Sequence, residues 1–399
     1  MIKLSERVKA LKPSATLAVD AKAKALKEQG VDVINLSAGE PDFDTPEPIK
    51  EACIKALKEG ITKYAPTPGF LSLRKAICQK IYEDYALEYQ PDEVIVSTGA
   101  KQAIFNLLLA LVDEGDEVLV LSPYWVSYPE MVVCAGGRPK IVPSSFEKRF
   151  EPELEIIEST ITPKTVGIIV NSPSNPTGLI YTGDFWKGLA ELIEKHNLWL
   201  ISDDIYDKLR FDEASPENIL SYAPELKSRV FIVNGVSKTY AMTGWRIGWA
   251  LGPKEVISAC VKIQGQSTSH ATSFAQKGAE AALKTPAEEI NKMVKAFAKR
   301  ASVLSSALQE IPEIDFIPPQ GAFYLFARVS AYYGKKTHEG KVIQNSIDMA
   351  EYLLDRAQVA VVPGVAFGED EFLRFSYATS EENLLKAVKR IKEALNALT

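Results

Sequence analysis

The sequence predicts an α/β fold: a mostly parallel central sheet flanked by helices, with a smaller α+β domain attached. Three observations lead there. Between about residue 90 and residue 255, short apolar runs alternate with helical patterns. From about Ala287 that alternation gives way to a long amphipathic helix, short strands and a final helix. No internal repeat or low-complexity tract competes with this reading. Alternating strands and helices form crossover units, which bury a parallel sheet on both faces.

The elements follow in order. Predicted strands are Glu93–Ser97, Glu117–Leu121, Gly167–Val170, Leu198–Ser202 and Val230–Val233, each a short apolar run. Between them, Lys101–Val112 is apolar along its length, and Phe185–His196 places Leu189, Leu192 and Ile193 on one helical face. Further on, Ile290, Met293, Val294 and Phe297, then Val303, Leu304 and Leu308, mark one long helix. Strands are expected around Phe323–Phe326, Val359–Val362 and Phe372–Phe375, and Leu384, Leu385, Val388, Ile391 and Leu395 form the stripe of a last helix. The expected division is an N-terminal segment over 1–45 that joins the small domain, a large domain over 46–290, and a small C-terminal domain over 291–399.

Composition narrows the function. The 399 residues suit two or three domains, and 46% hydrophobic with 25% charged residues is the balance of a soluble globular protein. With 46 Lys+Arg against 52 Asp+Glu, the net charge of −6 argues against a general nucleic-acid binder. Cys53, Cys78, Cys134 and Cys260 form no paired framework and read as reduced thiols of a cytoplasmic protein. His196, His270 and His338 lie far apart, so no metal site is expected. The charge-free run from Thr165 to Gly183 is interrupted by Asn-Ser-Pro-Ser-Asn-Pro-Thr-Gly and cannot be a membrane helix. The N-terminus mixes charges through its apolar positions, unlike a signal peptide.

Polar residues recur just after the predicted strands: Gly99-Ala100-Lys101, Asn175, Asp203 and Lys238. Ligands of open α/β sheets bind at the carboxyl ends of the strands, so four strand ends aim at one crevice. Ser97-Thr98-Gly99-Ala100-Lys101-Gln102 reads as an anion cradle opening a helix. It matches neither the phosphate loop of nucleoside triphosphatases nor the dinucleotide fingerprint, so both of those activities lose ground. A lysine directly after a buried strand, Lys238, suits a Schiff-base former, because burial lowers its pKa. Arg246, eight residues on in Gly-Trp-Arg-Ile-Gly, could hold a dianionic phosphate.

With these segments the chain resembles the class I pyridoxal-phosphate aminotransferases, a fold type I architecture, over essentially its whole length. The matching segments are Ser37-Ala38-Gly39-Glu40-Pro41-Asp42-Phe43, Tyr64-Ala65-Pro66, Ser122-Pro123-Tyr124-Trp125, Asn171 to Gly178, Ser202-Asp203-Asp204-Ile205-Tyr206, Ser237-Lys238 and Arg374-Phe375-Ser376. Pro13-Ser14-Ala15-Thr16 and the Gly-Ala-Lys-Gln run look closest to a bacterial aspartate aminotransferase branch, some of whose members also transaminate prephenate.

The resemblance implies pyridoxal 5'-phosphate as cofactor, amino acids and 2-oxo acids as substrates, and a homodimer with shared active sites. Lys238 would hold the cofactor and then move the substrate proton. Asp203, rather than the adjacent Asp204, would pair with the pyridine nitrogen. Asn175 and Tyr206 would reach the phenolic oxygen, and Trp125 would stack on the ring. Backbone groups of Gly99, Ala100 and Lys101, with Ser237 and Arg246, would hold the phosphate, joined by Tyr64 of the neighbouring subunit. Arg374 would grip the substrate α-carboxylate bidentately, with Gly39 contributing backbone. For the distal carboxylate the branch suggests Lys101, with Ser14 or Thr16 and Ser267 or Thr268 as candidates, and Lys12 for prephenate. From the residues alone, the favoured readings are Asn175 as a turn residue, Tyr206 as a core aromatic and Tyr64 as a surface aromatic. The expected reaction is aspartate with 2-oxoglutarate, and prephenate to arogenate beside it. An alanine or aromatic aminotransferase and a carbon–sulfur lyase are the alternatives within the fold.

Overall fold

The computed structural model describes residues 2–12, 15–212 and 214–399, and the side chains of all of these except residues 15–17. Seven strands form the central sheet: β1 (Val94–Ser97), β2 (Glu117–Leu121), β3 (Arg138–Val142), β4 (Thr165–Asn171), β5 (Trp199–Asp203), β6 (Val230–Gly235) and β7 (Gly248–Leu251). Their spatial order is β1-β7-β6-β5-β4-β2-β3, and only β7 runs antiparallel to its neighbours. The expected mostly parallel sheet is therefore present. The interiors of β1, β2, β4, β5 and β6 are buried, as sheets covered by helices on both faces require.

Two strands of the central sheet were absent from the sequence expectations, each for a physical reason. The β3 strand lies at the sheet edge and reads Arg-Pro-Lys-Ile-Val, so it carries little apolar signal. The β7 strand, Gly-Trp-Ala-Leu, opens on a glycine, normally a turn residue. Here Gly248 is required: a Cβ would lie 2.2 Å from the Ala100 nitrogen, where the helix Ala100–Leu111 meets the sheet.

A second, four-stranded sheet contains Asp315–Phe316, Tyr324–Arg328, Val362–Pro363 and Phe372–Ser376, all pairs antiparallel. The helices Ala287–Gln309 and Glu381–Asn396 pack beside it, the latter capped by Ser380, whose hydroxyl accepts from the Asn383 N–H. The single strand expected over Val359–Val362 is corrected to two. Val359–Ala360 pairs in parallel with Ile34–Asn35, while Val362–Pro363 joins the antiparallel sheet. All four residues are fully buried, so no change of polarity marks the switch between sheets. The Ile34–Asn35 pairing also ties the N-terminal segment to the C-terminal part of the chain. Among the described residues, no helix is long and apolar enough to cross a membrane.

Candidate active site

The parallel strands all end on one side of the sheet, and a cavity of about 480 Å³ lies there. Asn171 and Asp203 are the last residues of β4 and β5, and Ser237 and Lys238 come after one intervening residue beyond the end of β6. Ala100 and Lys101 begin the helix after β1, and Trp125 stands between β2 and the helix Ser127–Cys134. All of these line the cavity, with Asn175, Tyr206, Arg246, Gly39 and Arg374. The topology thus gathers most of the sequence-selected residues at one place.

Lys238 donates from its amine to the Gly39 carbonyl. Burial lowers its pKa to about 8; Glu40 and Asp203 oppose the shift, and Arg374 and Arg246 add to it. An amine in that range stays largely protonated at neutral pH but gains a sizeable neutral, nucleophilic fraction just above it, far sooner than an ordinary lysine.

Asp203 is buried, which raises its carboxyl to about 6, against the pull of a Tyr128 hydrogen bond, the Ile205 N–H and the Lys238 charge. The Tyr128 hydroxyl donates to Asp203 Oδ2 at 2.6 Å, and the Asn171 amide donates to the Asp203 carbonyl at 2.7 Å. A buried carboxylate whose hydrogen-bond donors are all neutral is short of positive partners, so a cationic ring nitrogen would suit it. Asp204 is directed elsewhere, accepting from the Ser202 hydroxyl and the Asn218 amide, and does not line the cavity.

At one pole lies the anion cradle. Gly99 caps the helix Ala100–Leu111 with φ of +86°, and a Cβ there would come within 2.5 Å of Arg246 Nη2. Arg246, itself left-handed at φ +58°, is anchored by donating to the Thr243 and Thr98 carbonyls. A helix N-terminus, small residues and a guanidinium side by side make an anion site of phosphate chemistry.

At the other pole Arg374 is 2% exposed. It donates to Asn175 Oδ1 at 2.9 Å and to the Ser37 carbonyl at 2.8 Å, while its Nε has no partner. The guanidinium stacks over the Tyr324 ring, 4.4 Å from the centroid, and Tyr324 shares a 3.0 Å hydroxyl contact with Tyr206. Burial depresses the Arg374 pKa, with no carboxylate beside it. A buried, unpaired guanidinium facing a cavity is a prepared carboxylate site.

Lys101 lies 4.8 Å from the Trp125 ring centroid, and burial, followed by the Arg246 charge, lowers its pKa. Trp125 packs edge-on to Tyr128.

Other sequence-selected residues lie outside the cavity. Tyr64 is 92% exposed, its ring edge-on to His270. Lys12 lines an adjoining groove with Lys101, Arg246 and Thr268, and its backbone N–H donates to Glu130. Thr268 accepts from Gln102, and Ser267 bonds back to helix carbonyls. Ser14 lies outside the described residues, as does the Thr16 side chain. Among the described residues, no cluster of His, Cys, Asp or Glu could hold a metal ion.

Sequence reasoning missed Tyr128, Tyr324, Asn171, Ser37 and the cavity-lining pair Asp20 and Lys24. Tyr128 had a usable signal, standing one helical turn after Trp125. Asn171 had another, as the polar end of a predicted strand. Tyr324 and Ser37 had none.

Comparison with known proteins agrees with this geometry. A family model described as aminotransferase class I and II matches residues 31–391. A probable aspartate/prephenate aminotransferase of Aquifex aeolicus is 46% identical over 397 residues, covering 99% of both chains. An aspartate aminotransferase of Geobacillus stearothermophilus is also 46% identical, over 399 residues, 99% of this chain and 100% of that protein. Among solved structures, the aspartate aminotransferase of Rhizobium meliloti superposes with a TM-score of 0.96 at 41% identity, covering 100% of both chains. That of Thermus thermophilus with maleate gives 0.92 at 44%, covering 99% of this chain and 100% of that one.

Proposed function

From the premise that the chain belongs to the class I and II aminotransferases, we propose that it transfers the amino group of L-aspartate to 2-oxoglutarate, leaving oxaloacetate and L-glutamate. Prephenate is a second acceptor, giving L-arogenate. The name of the Aquifex aeolicus relative supports aspartate and prephenate, that of the Geobacillus stearothermophilus relative supports aspartate, and the maleate in the Thermus thermophilus structure supports a dicarboxylate site. Pyridoxal 5'-phosphate is the cofactor of this family. The single observation that carries the reading is the pair of anion-binding poles, Arg246 with Gly99 and Arg374 with Ser37, with Lys238 and Asp203 between them.

The residues present fit that cofactor. At Gly99 the backbone is left-handed and a Cβ would meet Arg246 Nη2 at 2.5 Å, Asp203 has only neutral hydrogen-bond donors, and burial lowers the Lys238 pKa to about 8. When bound, pyridoxal phosphate supplies an electron sink for the bonds at the substrate α-carbon. The backbone groups of Gly99, Ala100 and Lys101, with Ser237 and Arg246, would bind its phosphate, with Tyr64 reaching in from the second subunit of a homodimer. Asp203 holds a proton on the ring nitrogen, oriented by Tyr128. Trp125 covers the ring face, and Asn175 and Tyr206 serve the phenolic oxygen. Lys238 would tether the cofactor and, as a base, would take up the proton of the substrate α-carbon. Arg374, with Gly39, fixes the α-carboxylate and so orients the α-hydrogen. Lys101 contacts the distal carboxylate, and Lys12, beside it in the adjoining groove, serves prephenate. Residues 46–290 form the cofactor-binding domain; 1–45 and 291–399 form the smaller one.

The test is an absorbance experiment on the purified holoenzyme. L-aspartate alone should abolish the visible band of the lysine-bound cofactor; after its removal, 2-oxoglutarate or prephenate should restore it. Failure of aspartate to change the band overturns the reading. Restoration by 2-oxoglutarate but not by prephenate removes the second acceptor and the role of Lys12. Pyruvate release from cystathionine without any oxo acid would favour the lyase.

A further inference from the structure

The cavity mouth carries a charge pair that the proposed chemistry leaves unused. Asp20 and Lys24 lie one turn apart on the helix Ala15–Glu28, and both line the cavity. Lys24 Nζ lies 2.8 Å from Asp20 Oδ2, with the lysine side chain 67% exposed. Taken alone, such a pair is an ordinary surface feature of little energetic weight.

Its attachment to the deeper site sets it apart. Asp20 Oδ1 accepts from the Asn35 amide at 2.8 Å. Asn35 Oδ1 accepts from the Ser37 N–H at 2.9 Å and the Ser37 hydroxyl at 2.7 Å. The Ser37 carbonyl in turn accepts from Arg374 Nη2 at 2.8 Å. One continuous hydrogen-bonded chain therefore runs from the buried guanidinium to the cation at the mouth. It fixes the two positive charges relative to each other, as a site for two carboxylates on one molecule requires.

The cations lining the cavity are Lys24, Lys101, Lys238, Arg246 and Arg374. Resting on the aminotransferase reading, Lys238 and Arg246 belong to the cofactor, Arg374 to the α-carboxylate and Lys101 to the deeper distal position. Lys24 alone remains, further out. We propose that Lys24, presented by Asp20, is a specificity-determining contact for the distal carboxylate of substrates longer than aspartate: five- or six-carbon dicarboxylic amino acids and their 2-oxo acids. The incoming carboxylate replaces Asp20 as the partner of Lys24. That exchange is inexpensive because the pair is solvated. Glu40, the other carboxylate at the mouth, accepts from the Thr243 hydroxyl and stays in place.

The test measures kcat/KM of the holoenzyme for alanine, aspartate, glutamate and 2-aminoadipate, in wild type, Lys24→Met, Lys24→Arg and Asp20→Asn. Lys24→Met should lower the glutamate-to-aspartate and aminoadipate-to-aspartate ratios by about fivefold, the scale of an exposed charge contact. The loss should shrink as ionic strength rises, and Lys24→Arg should retain the ratios. Asp20→Asn keeps the acceptor for Asn35 but frees Lys24, so it should raise the same ratios. A merely structural pair would make Lys24→Met and Asp20→Asn fall together for all four substrates; that result, or unchanged ratios in Lys24→Met, overturns the inference. A wild type with no preference for dicarboxylates over alanine would instead overturn the reading on which it rests, and the wild-type values report this separately.

Discussion

Replacing Lys238 by methionine should destroy turnover and yet stabilise the cofactor-free protein, with the size of the gain set by pH. In the folded chain the amine is brought from its ordinary 10.5 to about 8, chiefly by burial. A depressed lysine pKa means that folding disfavours the charged form. By linkage the penalty is fully present below pH 8, shrinks as pH rises from 8 to 10.5, and is gone above that. The full difference corresponds to about 3.4 kcal/mol. Lys238 is only half-buried, so about 2 kcal/mol is the expected cost after screening. Methionine keeps the length of the chain and carries no charge. At pH 7 the cofactor-free Lys238→Met protein should therefore melt about 2–3 °C higher than cofactor-free wild type, given the unfolding entropy of a chain this long. At pH 10 most of that gain should be gone. Scanning calorimetry of both proteins at both pH values is the assay. No gain at pH 7 would refute the account of Lys238 as a charge held at a cost. An equal gain at both pH values would assign the effect to packing instead.

Three further outcomes follow from the site. Tyr128→Phe removes the hydroxyl donor from Asp203, which should raise the carboxyl beyond its present value of about 6. A hydrogen bond to a charged group is worth about 1.5–3 kcal/mol, so the acidic limb of the kcat/KM profile should move to higher pH. Gly99→Ala forces a Cβ to within 2.5 Å of Arg246 Nη2 in a left-handed backbone, and cofactor affinity by equilibrium dialysis should fall about tenfold or more. Arg374→Lys replaces a fork bonded to Asn175 and Ser37 by a single flexible charge; the aspartate KM should rise by about two orders of magnitude, read by steady-state kinetics.

The fold was legible where its physics is local. The parallel strands β1, β2, β4, β5 and β6 are apolar because helices cover both faces, and each appeared as an apolar run between helical patterns. The β3 strand was hidden because an edge needs no such run, and its Arg-Pro-Lys start suits an edge that avoids further pairing. The β7 strand was hidden because its sequence is set by what must come close to it, namely the first residues of the Ala100–Leu111 helix. The division of Val359–Val362 between two sheets had no local signature, since burial on all sides is the same in either sheet.

The site divides along the same physical line. A parallel sheet delivers the ends of its strands to one side, so any polar residue directly after a predicted strand becomes a candidate, and Asp203, Lys238 and the Gly99 cradle emerged that way. Their partners did not. Tyr128 reaches Asp203 across 75 positions, and the Ser37 carbonyl meets Arg374 across 337; no periodicity encodes such meetings, which exist only after the chain is packed. The mouth is harder still. Whether Asp20 and Lys24 face solvent or substrate depends on how the helix Ala15–Glu28 docks, and that docking involves the Asn35 amide and the short pairing of Ile34–Asn35 with Val359–Ala360. Chemistry fixed to strand ends is therefore read from sequence more directly than selectivity at a rim built by a docked helix.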